Sequence, residues 1–481
     1  MKEPGLTTAA EAVWFGAPWI RHAPAFLAGA GAVALLVWLT RGPGMPLELR
    51  VPGTDKPPGS AATASGGNPV LQGTVVKGDG QPADLPGAWL GFRGADRSGI
   101  STEAVPLART WEAGGPRRLW SVDLGEGYAG PAVWNGRVYL IDYDRDQKQD
   151  ALRCLSLEDG REIWRFAYPV SVKRNHGMSR TTPAVAPPFV VALGPKCHVA
   201  CVDATTGELR WGLDLERDYG TTIPPWYAGQ CPLIDGDRVI LAPGGPEALL
   251  MAVELATGKV VWQTPNPRDW KMTHASIAVA EVGGRRQYVY PASHGVVGVD
   301  AQDGTLLWET PDWKISIANV PSPLVLEDGR VFLSGGYNAG AMMLAVEAQE
   351  GRFAARPLYR LDAETFGATQ QTPILHQGLI YGVRPDGRFT CLDPQDGSVV
   401  WTSDRGTNFG LGPFLLAGDL FLVMNDSGRL VLAEASPAKY TALAEARVLT
   451  GRESWGPMAL VGGRLLARDL TQLVCLDLAA R

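Results

Sequence analysis

From residue 117 onward the chain repeats one arrangement of apolar and polar positions: a short alternating apolar run, a turn pair rich in Gly, Asn or Asp, and a second alternating run. PAVWNGRVYLIDY (131–143), PLIDGDRVILAP (232–243), PLVLEDGRVFLSG (323–335), PILHQGLIYGV (373–383), PFLLAGDLFLV (413–423) and PMALVGGRLLAR (457–468) are its copies. Alternation with a period of two gives each run one core face and one solvent face, so each copy predicts a β-hairpin. A second kind of hairpin follows the first. CLSLEDGREIW ends at Trp164, CVDATTGELRW at Trp211, AVELATGKVVW at Trp262, GVDAQDGTLLW at Trp308 and CLDPQDGSVVW at Trp401. In the last four, the acidic residue caps backbone N–H groups and the Gly four positions later accepts a positive φ, which frames a tight turn; Ser156 holds that position in the first.

Successive tryptophans lie 47, 51, 46 and 93 residues apart. The last interval holds a degenerate copy, AVEAQEGRF around Gly351, which lacks the Trp; LAEASPAKY around Glu434 lacks both Gly and Trp. Two hairpins per repeat make four strands, and a period in the forties predicts a propeller. Seven repeats are complete. The eighth is split: the chain stops at CLDLAAR without a fourth strand, and RRLWSVDL (117–124), with Trp120, matches the missing piece. Sharing one blade between both ends removes the exposed sheet edge. Residues 116–481 number 366, about 46 per blade. The expected fold is therefore an all-β, eight-bladed propeller closed by N- and C-terminal strands. Trp120, Trp164, Trp211, Trp262, Trp308 and Trp401 recur at one offset and are expected to wedge between neighbouring blades.

Ahead of the propeller, residues 1–22 form an N-terminal tail, and 23–40 read APAFLAGAGAVALLVWLT without a charge. That run is long enough to predict an uncleaved membrane anchor, with a cleaved leader and a buried helix as alternatives. Lys2 and Arg21 on one side balance Arg41, Arg50 and Lys56 on the other, so flanking charge sets no orientation. Residues 41–88 are rich in Pro, Gly, Ser and Ala and predict a flexible linker. Residues 89–115 form a lead-in.

Composition changes the picture by exclusion. Lys plus Arg number 44 and Asp plus Glu 50, a net charge of -6, so no nucleic-acid footprint is expected. Six cysteines without a CxxC or CxxCH exclude a zinc ribbon or an attached c-type haem. Cys154, Cys201, Cys391 and Cys475 share one repeat position and read as small core hydrophobes.

The repeats resemble the tryptophan-docking pattern A-x-D-x-x-T-G-x-x-x-W of the pyrroloquinoline quinone (PQQ) propeller superfamily. Asp203, Thr206, Gly207 and Trp211 match it, with Cys201 in place of the Ala. The lead-in WLGFRGADRSGIS (89–101) is similar to the W-x-x-F-R-G segment of many such proteins. Because members are mostly exported, the resemblance implies a propeller on the extracytoplasmic, periplasmic side of the cell membrane. The superfamily's dehydrogenases carry adjacent cysteines, a calcium held by Glu, Asn and Asp, and an Asp base. This chain has no Cys-Cys pair, and Asn425-Asp426 reads as a turn. The resemblance is closer to the non-enzymatic outer-membrane assembly factors, although an anchor helix replaces their lipidated cysteine.

In a propeller, the loops entering each innermost strand and those between second and third strands crowd one face around the channel. Here they supply Arg174, His176, Arg180, Trp226, Tyr227, Gln230, Lys271, His274, Asn319, Gln370, Gln371 and Trp455, with Tyr337 and Arg384 from second-to-third-strand loops. Convergent polar and aromatic groups predict a binding surface. The leading expectation is a scaffold for an envelope protein partner, with no catalytic residue, cofactor or metal, His176 and His274 being loop histidines. The alternative is a PQQ-dependent oxidoreductase of the alcohol or sugar dehydrogenase type, with calcium and with Arg180 or Arg384 on the cofactor acids. Binding of a small molecule or carbohydrate without turnover is a third class.

Overall fold

A computed structural model describes residues 22–40 and 67–480. The chain divides into two units, residues 1–61 and 62–481. Within the first, Ala23–Thr40 is an 18-residue α-helix, its apolar side chains, Phe26, Leu27 and Trp38 among them, exposed. At about 1.5 Å per residue it measures about 27 Å, against about 30 Å of bilayer hydrocarbon. Among the described residues no helix is long and apolar enough to cross a membrane, so the expected single span is not shown.

The second unit is a ring of eight antiparallel blades. Five, blades two to six, are built only from strands consecutive in sequence, such as Ala184–Ala186, Phe189–Leu193, His198–Asp203 and Leu209–Asp214. The eighth joins Ala459–Val461, Arg464–Arg468 and Gln472–Asp477 to Arg117–Asp123, with Cys475 opposite Trp120. The split blade is as the repeat arithmetic expects. Its counterpart is the first blade, which gains a strand at each edge and becomes six-stranded.

One local rule builds every blade. The pairing of third and fourth strands shifts register once in each of the eight, at the same repeat position. Just before that bulge the tryptophan faces a small residue: Cys154 opposite Trp164, Cys201 opposite Trp211, Ala252 opposite Trp262, Gly298 opposite Trp308, Cys391 opposite Trp401. The indole lies over that position, so a Cβ on Gly298 would fall 2.0 Å from Trp308. The rings of Trp120, Trp164, Trp211 and Trp262 then meet the turn glycine of the next blade. Gly207, at φ 77°, lies under Trp164, where a Cβ would come within 2.7 Å of the ring. Indole nitrogens of Trp120 and Trp211 donate to the Leu157 and Leu255 carbonyls of their neighbours at 3.0 and 2.8 Å. All six cysteines are buried thiols.

Two segments differ from expectation. Residues 67–88, assigned to the flexible linker, are built into the ring: Asn68 caps a 3-10 turn over Pro69–Gln72, and Thr74–Lys77 pairs antiparallel with the outermost strand of the first blade. Val70 explains the difference, since it is fully buried in the core between the first two blades. The rest of the linker, residues 41–66, and the tail up to residue 21 lie outside the described residues.

The lead-in is a strap across the central channel. Trp89 pairs with the innermost strand of the first blade, and the Leu90 carbonyl accepts from Val185 of the second. Arg97 donates to Pro232 of the third, and Arg93 to Thr372 and Pro373 of the sixth. Ile100–Ser101 then pairs in parallel with the innermost strand of the seventh. The Arg93 guanidinium is buried and committed to four carbonyls, which pins the strap.

Candidate functional site

In blades two to six the residue two positions before the innermost strand is Thr182, Cys231, Ser276, Ser322 and Thr372. They form a relay in which each backbone N–H donates to the next side chain. Thr182 donates to the Cys231 sulfur at 3.2 Å, Cys231 to Ser276 at 3.0 Å, Ser276 to Ser322 at 3.1 Å and Ser322 to Thr372 at 2.9 Å. Blades seven, eight and one carry Gly412, Gly456 and Gly130 at the corresponding place in the repeat. There is no room for more: a Cβ at Gly130 would lie 2.5 Å from the Thr182 hydroxyl and 2.8 Å from Pro457.

Above this belt lies a cavity of about 300 Å³ whose lining includes Phe92, Tyr128, His176, Arg180, Trp226, His274, Tyr337, Gln370 and Trp455. Its aromatic walls are held in place. Trp455 stacks on Tyr128 with centroids 5.3 Å apart and donates its indole N–H to Asp426 at 2.7 Å; the Tyr128 hydroxyl donates to Glu453. Arg180 lies over the other side of the site, 4.9 Å from the Tyr128 centroid. It donates from Nε to the Trp226 carbonyl and from Nη2 to the Asn175 and Gly177 carbonyls at 3.3 and 3.0 Å. Burial lowers its pKa to about 10. His274 bonds through Nε2 to the Pro225 carbonyl at 2.7 Å, and burial, with the Arg180 charge adding to it, lowers its pKa to about 4. It is neutral at physiological pH.

Of the twelve residues expected at the binding surface, six meet at this cavity: His176, Arg180, Trp226, His274, Gln370 and Trp455. The others do not line it. Arg174 pairs with Glu126 at 2.6 Å and Lys271 with Asp269 at 2.5 Å, both toward solvent. The Tyr227 hydroxyl donates to the Lys173 carbonyl at 2.5 Å. Gln230 is fully buried, accepting from Ala242, and Gln371 bridges the Gly410 and Gly412 carbonyls. Asn319 is buried, with its carbonyl accepting from His274 and both side-chain polar atoms unpartnered. Arg384, the second candidate for the quinone acids, is paired with Asp386 at 3.1 Å and does not line the cavity. Sequence reasoning missed Phe92 and Tyr128. Tyr128 lies in the loop entering the first blade's innermost strand, so the rule that found Trp226 also covers it. Phe92 had a motif but no address.

The donor set does not fit a calcium-held quinone. No lining residue carries a carboxylate, and the lining offers one guanidinium, already committed to three carbonyls. Asn425 and Asp426 make a turn: Asn425 accepts from Ser427 and Arg429, and Asp426 from Leu411 and Trp455. Among the described residues no cluster of three or more His, Cys, Asp or Glu is arranged to hold a metal.

Tryptophan-docked blades, one split between the two ends of the ring, define an eight-bladed PQQ-like propeller, here with a floored channel and an aromatic cavity above the floor. Residues 147–403 match the model of the family described as outer membrane protein assembly factor BamB, and the chain belongs to that family. It is 21% identical over 354 residues to the BamB of Moranella endobia, covering 69% of this chain and 72% of that protein. It is also 26% identical over 299 residues to the serine/threonine-protein kinase AfsK of Streptomyces griseus, covering 60% of this chain but only 32% of the kinase. Among solved structures, a europium-containing methanol dehydrogenase aligns with a TM-score of 0.58 at 13% identity, over 80% of this chain and 89% of that one, a likeness of fold.

Proposed function

We infer that the protein is a membrane-tethered, exported scaffold of the cell envelope that binds another protein through the loop face of its propeller. The observation that carries this reading is the anchored aromatic rim. Trp226, Tyr337 and Trp455 surround a concavity on a rigid ring, and Trp455 is fixed by its stacking and its bond to Asp426 before any partner arrives. Preset aromatic anchors are the groups that dominate protein interfaces. The family and the relative named as an outer membrane assembly factor support a part in assembling envelope proteins. The tether is the helix Ala23–Thr40, whose exposed apolar side chains find their favourable surroundings in lipid.

The test replaces Trp226 and Trp455 together with Ala and measures photo-cross-linking to partners in envelope membranes. Capture should be lost while the thermal unfolding midpoint moves by only a few degrees. Undiminished capture would sink the assignment of this face.

A further inference from the structure

The cavity above Phe92 has a chemistry of its own, although it shares Trp226, Tyr337 and Trp455 with the rim. Its floor and walls are aromatic: Phe92 below, the Tyr128–Trp455 stack on one side, Trp226 and Tyr337 around the rest. A volume of about 300 Å³ is at the small end of ligand pockets and suits one or two fused rings. One charge enters it. With Nε and Nη2 of Arg180 committed to loop carbonyls, Nη1 is the guanidinium nitrogen that makes no hydrogen bond. The Tyr128 ring beneath it, at 4.9 Å, fixes its plane. His274 is neutral; the Glu453 carboxylate acts on the guanidinium only through space, is taken up by the Tyr128 hydroxyl and does not line the cavity. A largely desolvated cation with one open nitrogen favours an anion, and the two N–H groups of that nitrogen are satisfied by a single carboxylate group.

We propose that this cavity is a binding site for an aromatic monocarboxylate, with the ring held among Phe92, Trp226 and Trp455 and one carboxylate oxygen accepting from Arg180 Nη1. The site differs from a quinone site in both charge and donor count: it matches one acid and has no place for a cation. It does not depend on capture of a protein partner.

The experiment titrates the purified full-length protein calorimetrically with indole-3-acetate, and with indole-3-ethanol and tryptamine as its neutral and cationic counterparts. One-to-one binding is expected, with the acid held at least about tenfold more tightly than the alcohol and the amine weakest, as one charge-assisted hydrogen bond implies. Arg180→Met should abolish the preference for the acid. Since Arg180 also ties three loop carbonyls, Trp226→Leu serves as the second variant: it keeps the charge and should weaken acid and alcohol alike. Thermal unfolding of both variants separates lost binding from lost folding. Equal affinity for acid and alcohol, no saturation at millimolar concentration, or a preference that survives Arg180→Met in a folded variant would each overturn the proposal. Cross-linking measured on the same preparations keeps the two readings apart, since the scaffold reading stands if partner capture persists where no indole binds.

Discussion

Asp150 shows how much a single buried atom can matter in this ring. It is fully enclosed between the first two blades, with Oδ2 accepting from the Tyr168 hydroxyl at 2.5 Å and Oδ1 unpartnered. Burial, reinforced by the charge of Asp142, raises its pKa to about 7. A carboxyl raised in the folded state contributes stability that is full below about pH 4 and is lost as pH rises through about 7. Asp150→Asn removes that titration. We therefore expect wild type to lose on the order of a few kcal/mol relative to the variant between pH 4 and pH 8, read from urea midpoints at each pH. None of this was visible in the sequence, because Asp150 sits in an ordinary alternating run and its enclosure depends on Gly194 of the next blade, whose missing side chain leaves it room. The cysteines were legible for the opposite reason. Cys154, Cys201, Cys391 and Cys475 occupy a position where the fold demands smallness, and smallness recurs with the period of the repeat.

At the scale of elements, the strap is the least periodic part of the structure and the most consequential for the site. The motif around Trp89 and Phe92 could be recognised, yet a segment used once has no repeat to say where it goes. Its path is set by single contacts with five different blades, above all by Arg93. Replacing Arg93 with Ala removes a buried guanidinium and leaves the Thr372 and Pro373 carbonyls short of a donor, a loss of roughly 3 kcal/mol or more. The expected result is rapid proteolytic cleavage within residues 89–101 while the blades stay protected; an uncut strap would show that its ends, not Arg93, hold it. The strand Thr74–Lys77 was hidden by its neighbours. Surrounded by Gly, Pro and Asp, four residues of β-forming sequence read as linker, and only the open edge of the first blade gives them a partner.

The whole ring was legible because eight similar blades each state the same pattern, so weak signals add. Tryptophan spacing counted the blades, and the stray strand at Trp120 found its place by elimination. The site was half legible: the rule that channel-facing loops carry function located Arg180, Trp226, His274 and Trp455, but not which loops meet. The proposed tether belongs to this scale too. A protein lacking residues 1–40 should leave the membrane fraction and appear in the soluble one with an unchanged unfolding midpoint; retention in membranes after carbonate extraction would mean that the propeller itself binds lipid or a membrane protein.

The split blade also fixes the order in which the molecule can be made. Strand Arg117–Asp123 is among the first of the ring to leave the ribosome, and its pairing partner, Gln472–Asp477, is the last, so the two meet across some 360 residues. Until then Arg117–Asp123, the outermost strand of its blade, has no strand to pair with, and the gap between the last blade and the first stands open. Long-range pairing of this kind is slow and leaves sticky intermediates. A ring that closes only when its last strand arrives has to keep that gap from other chains until the strand is made.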